Sequence, residues 1–592
     1  VSDRRNISLV TGWGSFNTRK YNFSYSSGII DNRYSLYGRF SKIDSDGYRD
    51  YSWTKAWSYF LSASVFGKNS TTTFNAFGGP IKAHFAWYGI EKESLRDEKT
   101  RTINYDAPKY NGGHKDILDD FLQSHYQIIN SRDINDKIKL QNTLFHVKGD
   151  GFYEQFKYNR KFQEYNLPAL ITSPDTIITP SDTIIVPGDT INRTDLVRRK
   201  WVSKSQFGWI PRLSLDHGNG YLDIGADISA YKSKHWGEVK WARTLPPGVI
   251  PNNRYYEYNT DKFSAAIYIH ELFKINPDLN LMADFQYQHH TYDFKQEKIG
   301  AFSDKGYSYT LKYNFLTPRI GVNYNLSRKV NIFTNVSMAR REPKDNDIYD
   351  ADDPEVFPAF ERKGSVINFD KPLIKPETLY DYEWGLGYQF KEMLKLKING
   401  YWMDFRNEIV PTGQVDEDGF IIYGNAEKSL HRGVEISADG KIGGSIFYST
   451  NLSISKNVFS KYTEYSYTET WEAVPVDRSG NKIAGFPDYM ANWRISYRIP
   501  QLSLSFHVRT IGRQYLDNSE QKDLSIDPYT VANASIRFST KKFMGLKNLI
   551  VDLKINNIFN KLYETHGAVY EGVPYYIPAA TRNYFASLTI NI

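Results

Sequence analysis

Tyr221-Leu-Asp-Ile-Gly-Ala-Asp-Ile-Ser-Ala-Tyr231 sets Leu222, Ile224, Ala226, Ile228 and Ala230 at alternate positions, with Asp223, Asp227 and Ser229 between them. A β-strand points successive side chains to opposite sides, so this stretch specifies one apolar face and one polar face. Residues 279–287 repeat the arrangement in the other frame, with Leu281, Ala283, Phe285 and Tyr287 set against Asn280, Asp284 and Gln286. Leu502, Leu504, Phe506 and Val508 do so again, opposed by Ser503, Ser505, His507 and Arg509. Nearly every part of the chain reads this way. A chain of strands with a wet face on almost every one needs an architecture whose two sides meet different solvents, and a transmembrane β-barrel supplies it.

Composition supports a barrel over soluble domains. A chain of 592 residues would ordinarily divide into several domains, yet no Pro/Gly/Ser linker or compositional shift divides this one, so residues 1–592 are read as one unit. Aromatic residues reach 16%, while mean hydropathy is negative and no apolar run approaches the ~18 residues of a membrane helix. Tyrosine suits the aromatic girdles of a barrel, its ring in the apolar layer and its hydroxyl in water. A β-propeller would need a repeat of about 40 residues that the sequence lacks. The absence of cysteine excludes thiolate metal sites, thiol nucleophiles and disulfides. The net charge of +7 is spread along the chain, which gives no support to nucleic acid as a partner. Basic residues at strand ends are placed instead to meet outer-membrane lipid headgroups or lipopolysaccharide phosphates. Val1-Ser-Asp-Arg-Arg is not followed by an apolar core, so the expectation is a mature or truncated form without a signal peptide.

Turn residues pick out short connections at 28–32, 67–70, 132–136, 217–220, 276–278, 327–329, 391–394, 441–444, 500–501 and 544–548. Between them lie long connections near 88–120, 154–198, 237–259, 296–307, 341–376, 411–423, 462–487, 514–527 and 563–581. Short periplasmic turns at one end and long extracellular loops at the other are the asymmetry of an outer-membrane barrel, and the runs predict about 22 antiparallel strands. One loop repeats Asp175-Thr-Ile-Ile, Asp182-Thr-Ile-Ile and Asp189-Thr-Ile-Asn, each preceded by a proline at 174, 180 or 187. The prolines exclude a heptad helix, and an extended surface loop is expected.

Catalytic signatures are missing: there is no GxSxG, HExxH or GxxxxGK[ST], so no enzyme and no cofactor are expected. His289 and His290 fall on opposite faces of one strand and so do not chelate a metal together. The acidic stretch Asp345, Asp347, Asp350, Asp352, Asp353 and Glu355 offers hard oxygen ligands for calcium but lacks EF-hand spacing; a solvated acidic loop is the plainer reading. Arg340 and Arg341 stand just before it at the expected extracellular mouth, to attract an anionic ligand or to pair with that loop. His84, Trp87 and Tyr88, with Tyr575 and Tyr576, lie at loop bases, where rings either stack on a planar ligand or complete the upper aromatic girdle.

Several segments resemble one family. Gly14-Ser-Phe-Asn-Thr-Arg-Lys20, Tyr37-Gly-Arg-Phe-Ser-Lys42 with Asp46-Gly-Tyr48, Lys375-Pro-Glu-Thr378 followed by Tyr382-Glu-Trp-Gly385, Arg432-Gly-Val-Glu435, Asn556-Asn-Ile-Phe-Asn-Lys-Leu-Tyr563 and Arg582-Asn-Tyr-Phe-Ala586 are similar to the barrel of TonB-dependent outer-membrane receptors. Arg341-Glu-Pro343 and Ala86-Trp-Tyr-Gly-Ile90 have the style of receptors from Bacteroidetes-like bacteria. The resemblance implies energy-dependent import of a scarce, bulky extracellular ligand. It implies a plug domain inside the barrel and a TonB partner acting on a TonB box; a surface lipoprotein is a further candidate partner. Val1 is read as the start of the barrel, with box, plug and signal peptide outside the chain. The family's haem branch would place a histidine within residues 340–377, where none occurs, and its glycan importers tend to be longer. A ferric siderophore or similar metal chelate is therefore the expected ligand, with glycan, cobalamin or a passive porin-like channel as alternatives, and a surface adhesin as a further reading.

Overall fold

A computed structural model describes residues 4–171, 175–178, 183–186, 190–298, 306–353, 356–415, 421–467, 473–543 and 545–592. It shows a closed antiparallel barrel of 22 strands, from Arg5–Gly14 to Asn583–Asn591. Successive strands pair with one another, and the ring closes where the first meets the last, from Ser8 opposite Asn591 to Gly14 opposite Phe585. Closure leaves no free sheet edge in the membrane, which the bilayer demands because it offers backbone groups no partner. At the seam the Phe585 ring lies over Gly12 and Gly14. A Cβ at Gly12 would stand 2.6 Å from the Phe585 ring and one at Gly14 2.8 Å, so only glycine lets the strands approach there.

The short turns fall where turn chemistry places them. Asp31 and Asn32 adopt φ of 49° and 51°, Lys391 48° and Gly443 60°, the left-handed values tight hairpins require. Met544, in the turn at 544–548, lies outside the described residues.

The long connections differ from expectation. Much of 154–198 is strand: Ile138–Lys161 and Arg193–Asp216 run 24 residues each, and Gly220–Ala242 runs 23. At about 3.3 Å per residue such strands reach ~80 Å, far more than a hydrocarbon core of about 30 Å needs. The wall therefore continues well above the membrane. The described parts of the repeat-bearing loop are extended, and its first two copies pair, Asp175–Ile178 with Thr183–Val186, while Thr190–Ile191 of the third pairs with Leu170–Ile171. Asp182, Asp189 and the three prolines lie outside the described residues.

Side-chain direction splits each tall strand in two. In the lower part apolar residues face out: Ile267, Phe285, Ile320, Val336, Trp384, Val434, Ile495 and Leu504 are all exposed on the protein, as lipid contact requires. Polar groups face in, with Arg212 and Asp223 2.5 Å apart, Arg537 and Asp552 2.6 Å apart, and Ser496 hydrogen-bonded to Ser505. In the upper part the apolar face turns inward. Tyr309, Leu311, Tyr313 and Phe315 are buried on the inner wall beside Tyr292 and Phe294 of Leu279–Lys298 and Tyr256 and Tyr258 of Arg254–Lys274. Covering them is the connection after Val330–Arg341, which folds down as the helical turn Asp345–Ile348 and the hairpin of Phe360–Lys363 with Val366–Pro372. Above the membrane the inner wall is thus apolar, because folded loop replaces water there.

Candidate ligand-binding mouth

The extracellular loops pack on one another and bring two of the predicted aromatic segments together. Ile90 and Tyr576 exchange backbone hydrogen bonds in both directions, at 2.9 and 2.8 Å, so residues 84–90 lie beside the hairpin of Glu564–Tyr570 and Val573–Pro578. Buried Arg101 clamps the same loops: its guanidinium donates to the Leu95 carbonyl and, at 2.8 Å, to the Tyr563 carbonyl, and stands 3.4 Å from Glu564. Arg49 donates to the Tyr88 carbonyl at 2.7 Å and to that of Ile103 at 2.9 Å.

Within this cap the predicted residues divide. His84 is buried edge-on to Tyr51, and burial pushes its imidazole below the ordinary range. Tyr576 is buried too, its hydroxyl donating to the carbonyls of Asp523 and Ser525 at 3.2 and 3.3 Å. These two hold the loops together. Trp87, Tyr88 and Tyr575 are half-buried and keep accessible surface; the Trp87 ring tilts over Tyr153 at 5.7 Å, and its amide donates to Asp106 at 3.0 Å. Burial pushes the Asp106 carboxyl up to about 6, against the pull of the Trp87 amide and Arg49.

Arg341 reaches Glu377 on the neighbouring strand with two contacts of 3.0 Å, and the Arg340 guanidinium lies 5.0 Å from the centre of the buried Phe315 ring. The basic pair thus ties strand ends and wall, where the sequence suggested a ligand or the acidic loop. The acidic residues are dispersed. Asp347 accepts from the Lys344 amide at 2.9 Å, Asp350 from the Asp352 amide at 3.2 Å, and Asp352 stands 3.7 Å from Lys200. Asp353 donates its amide to the Asp350 carbonyl at 3.4 Å. Asp345 faces the Tyr292 hydroxyl and Lys262, and burial raises its pKa. Among the described residues no three His, Asp or Glu side chains gather in a metal-holding group, so the acidic stretch forms no calcium cage there; Glu355 lies outside them. His289 and His290 lie on opposite faces as expected, bonded to Asn314 and Ser264.

The residues that sequence reasoning missed are on the upper inner wall. Lys262 donates to Glu342 at 2.6 Å, Arg198 donates to Gln155 at 2.9 Å, and Lys200 is 4% exposed. Around them stand Tyr255, Tyr256, Tyr258, Tyr292 and Tyr309. The result is a shelf of rings and cations above a polar lumen.

Two kinds of comparison now bear on this geometry. The family described as TonB dependent receptor-like, beta-barrel matches residues 100–558, most of the chain. The chain belongs to the TonB-dependent receptors. It is accordingly an outer-membrane protein, and its family consists of transporters and receptors that work with TonB and a plug domain and bind extracellular ligands. Among solved structures it is similar to the ferric-catecholate import receptor Fiu from E. coli K12 at 15% identity and TM-score 0.69, covering 100% of this chain and 82% of that one. It is similar to the siderophore receptor PiuA from Acinetobacter baumannii at 14% identity and TM-score 0.73, with coverage of 100% and 82%. The copper transporter OprC gives 12% identity and TM-score 0.69, with coverage of 100% and 80%. At these identities the likeness concerns the fold. A sequence comparison with curated proteins returned no match.

Proposed function

We propose that this TonB-dependent receptor imports an anionic metal chelate, a ferric siderophore or a chemically similar complex. The observation that carries the reading is the shelf described above: Arg198, Lys200 and Lys262 set among stacked tyrosines on the extracellular part of the inner wall. Cations set among aromatic rings, Arg198 and Lys200 buried and Lys262 half-buried, attract a flat, negatively charged ligand by charge and by stacking. A glycan would want exposed rings flanked by hydrogen-bonding groups, and cobalamin carries no comparable negative charge. The structural neighbours named for ferric-catecholate and siderophore uptake lend the same reading support. Lipopolysaccharide is proposed as the outer-face partner, through outward lysines such as Lys148 and Lys232, 61% and 77% exposed.

The test is a binding titration of the purified receptor with ferric tris-catecholate, ferric citrate, cobalamin and a maltooligosaccharide. Saturable binding of a ferric chelate and none of the oligosaccharide is expected. Binding of only the oligosaccharide or cobalamin would overturn the reading. A passive channel would bind none of them and would conduct with its plug in place.

A further inference from the structure

The acidic stretch and the inner wall have a relation that neither has alone. Asp352 stands 3.7 Å from Lys200, and its carboxylate also faces the rings of Tyr256 and Tyr258. Asp345 faces Lys262 and the Tyr292 hydroxyl, with Tyr309 and Tyr313 in the same field. Glu342 closes on Lys262 at 2.6 Å. Carboxylates from one connection thus neutralise Lys200 and Lys262. The rings of that connection imitate an aryl ligand in the same way: Phe369 stacks on Tyr309 at 5.6 Å and Phe360 meets it edge-on at 5.0 Å.

The fit is incomplete where a better occupant would complete it. The hydroxyls of Tyr255, Tyr309 and Tyr313 are buried without a hydrogen-bond partner, although these residues are 1%, 5% and 8% exposed. One oxygen of Asp352 is buried and unpartnered as well. A buried polar group left unpaired loses its hydration with nothing in return. A segment selected only to seal the wall would have met phenylalanines there. Tyrosine hydroxyls that the covering segment leaves unpaired are instead donors held for another acceptor.

We propose that residues 342–353 are a built-in competitor, an acidic segment occupying the tyrosine and lysine shelf that an anionic aryl chelate takes when it binds. This rests on the import function proposed above and names the subsite and the step: the chelate's oxygens replace the carboxylates of Glu342 and Asp345 at Lys262 and that of Asp352 at Lys200. The displaced segment is then free to move toward the mouth. A competing segment lowers apparent affinity by the fraction of molecules in which the shelf is open, so weakening the segment's hold tightens ligand binding.

The experiment measures hydrogen exchange of residues 342–353 and fluorescence titration with ferric tris-catecholate on the purified receptor, for wild type, the double variant Asp345→Asn/Asp352→Asn, the variants Lys200→Gln and Lys262→Gln, and Lys312→Gln as a control on the outer face. In the double variant we expect exchange in 342–353 to quicken and chelate affinity to rise about tenfold, a change equivalent to about 1.4 kcal/mol. Each inner lysine variant should bind about tenfold more weakly, Lys312→Gln should match wild type, and chelate should quicken exchange in wild-type 342–353. If the receptor binds the chelate but the double variant changes neither affinity nor exchange, the competitor is overturned and the import reading stands. If no form binds any ferric chelate, the import reading fails and the proposed ligand with it, whatever the exchange shows.

Discussion

The two halves of the strand Ser308–Ser327 face their apolar residues in opposite directions. Below, Leu316, Ile320 and Tyr324 point outward and are exposed to lipid; above, Tyr309, Leu311, Tyr313 and Phe315 point inward and are buried under folded loop. Backbone alternation does not change along the strand, so the apolar phase must, and it slips between the adjacent Phe315 and Leu316. Leu279–Lys298 slips in the same zone, from outward Phe285 and Tyr287 to inward Tyr292 and Phe294, and Arg254–Lys274 from outward Phe263 and Ile267 to inward Tyr256 and Tyr258. The slip marks the height at which hydrocarbon outside gives way to packed protein inside. It teaches that one tall sheet carries two cores, each answering to its own solvent.

The largest effect expected from this comparison is in the upper core. Phe315→Ala should cost about 3–5 kcal/mol of local stability, since Phe315 is 1% exposed and stacks with Tyr313. Hydrogen exchange should show the loss confined to residues 342–372 and the neighbouring wall; global unfolding of the barrel would merge the two cores into one. Next is the lower band. Ile320→Arg puts a charge into lipid and should cost about 2–4 kcal/mol in folding into vesicles, whereas Thr310→Arg, outward on the same strand but above the band and hydrogen-bonded to Asp293, should stay within about 0.5 kcal/mol of wild type. Equal costs at the two positions would place both in the same solvent.

A smaller effect is expected at the junction. Arg341→Glu removes the two-pronged contact with Glu377 and sets two carboxylates together, for about 1 kcal/mol given that the arginine is mostly exposed. Adding Glu377→Arg should restore most of it in thermal denaturation, and failure of the swap would free Arg341 for a ligand role. The smallest effect is one of pH in the loop cap. Because burial raises the Asp106 carboxyl to about 6, above the value of an unfolded carboxylate, the folded cap binds the extra proton. Its contribution is therefore fully present at low pH and fades as pH rises through about 6. Protection factors in residues 84–118, taken relative to the intrinsic exchange rate at each pH, should be higher at pH 5 than at pH 7.5, and Asp106→Asn should reduce the difference.

The lower band was legible because lipid outside and polar groups inside give one unbroken alternation, which counted the strands and placed the short turns other than the one at 15–17. Strand ends near 154–198 were misplaced because the upper wall alternates in the opposite phase, and a run such as Tyr153 to Lys161 reads as loop when only an outward apolar face counts as strand. The change of phase at Phe315-Leu316 and between Tyr287 and Tyr292 did not mislead, because the expected loop at 296–307 leaves both strands at nearly their full length. The site was less legible. Nothing local to Lys200, Lys262 or Tyr258 sets them apart, since the shelf exists only when four strands and a returning loop converge. Arg341 drew notice as a charge beside a charge, yet its partner, Glu377, lies across the loop on the next strand. Tyr575 and Tyr576 were adjacent in sequence, and strand alternation alone sent one inside the cap and left the other half open.

The most direct test uses the chain's lack of cysteine. Single cysteines at Ile267 and at its neighbour Ala266, labelled with a fluorophore on the receptor in bilayers, are read for quenching by brominated lipid and by iodide. Strong lipid quenching is expected at position 267 and little at 266, with iodide showing the reverse. Equal quenching at both positions would contradict a closed cylinder with hydrocarbon on one face only.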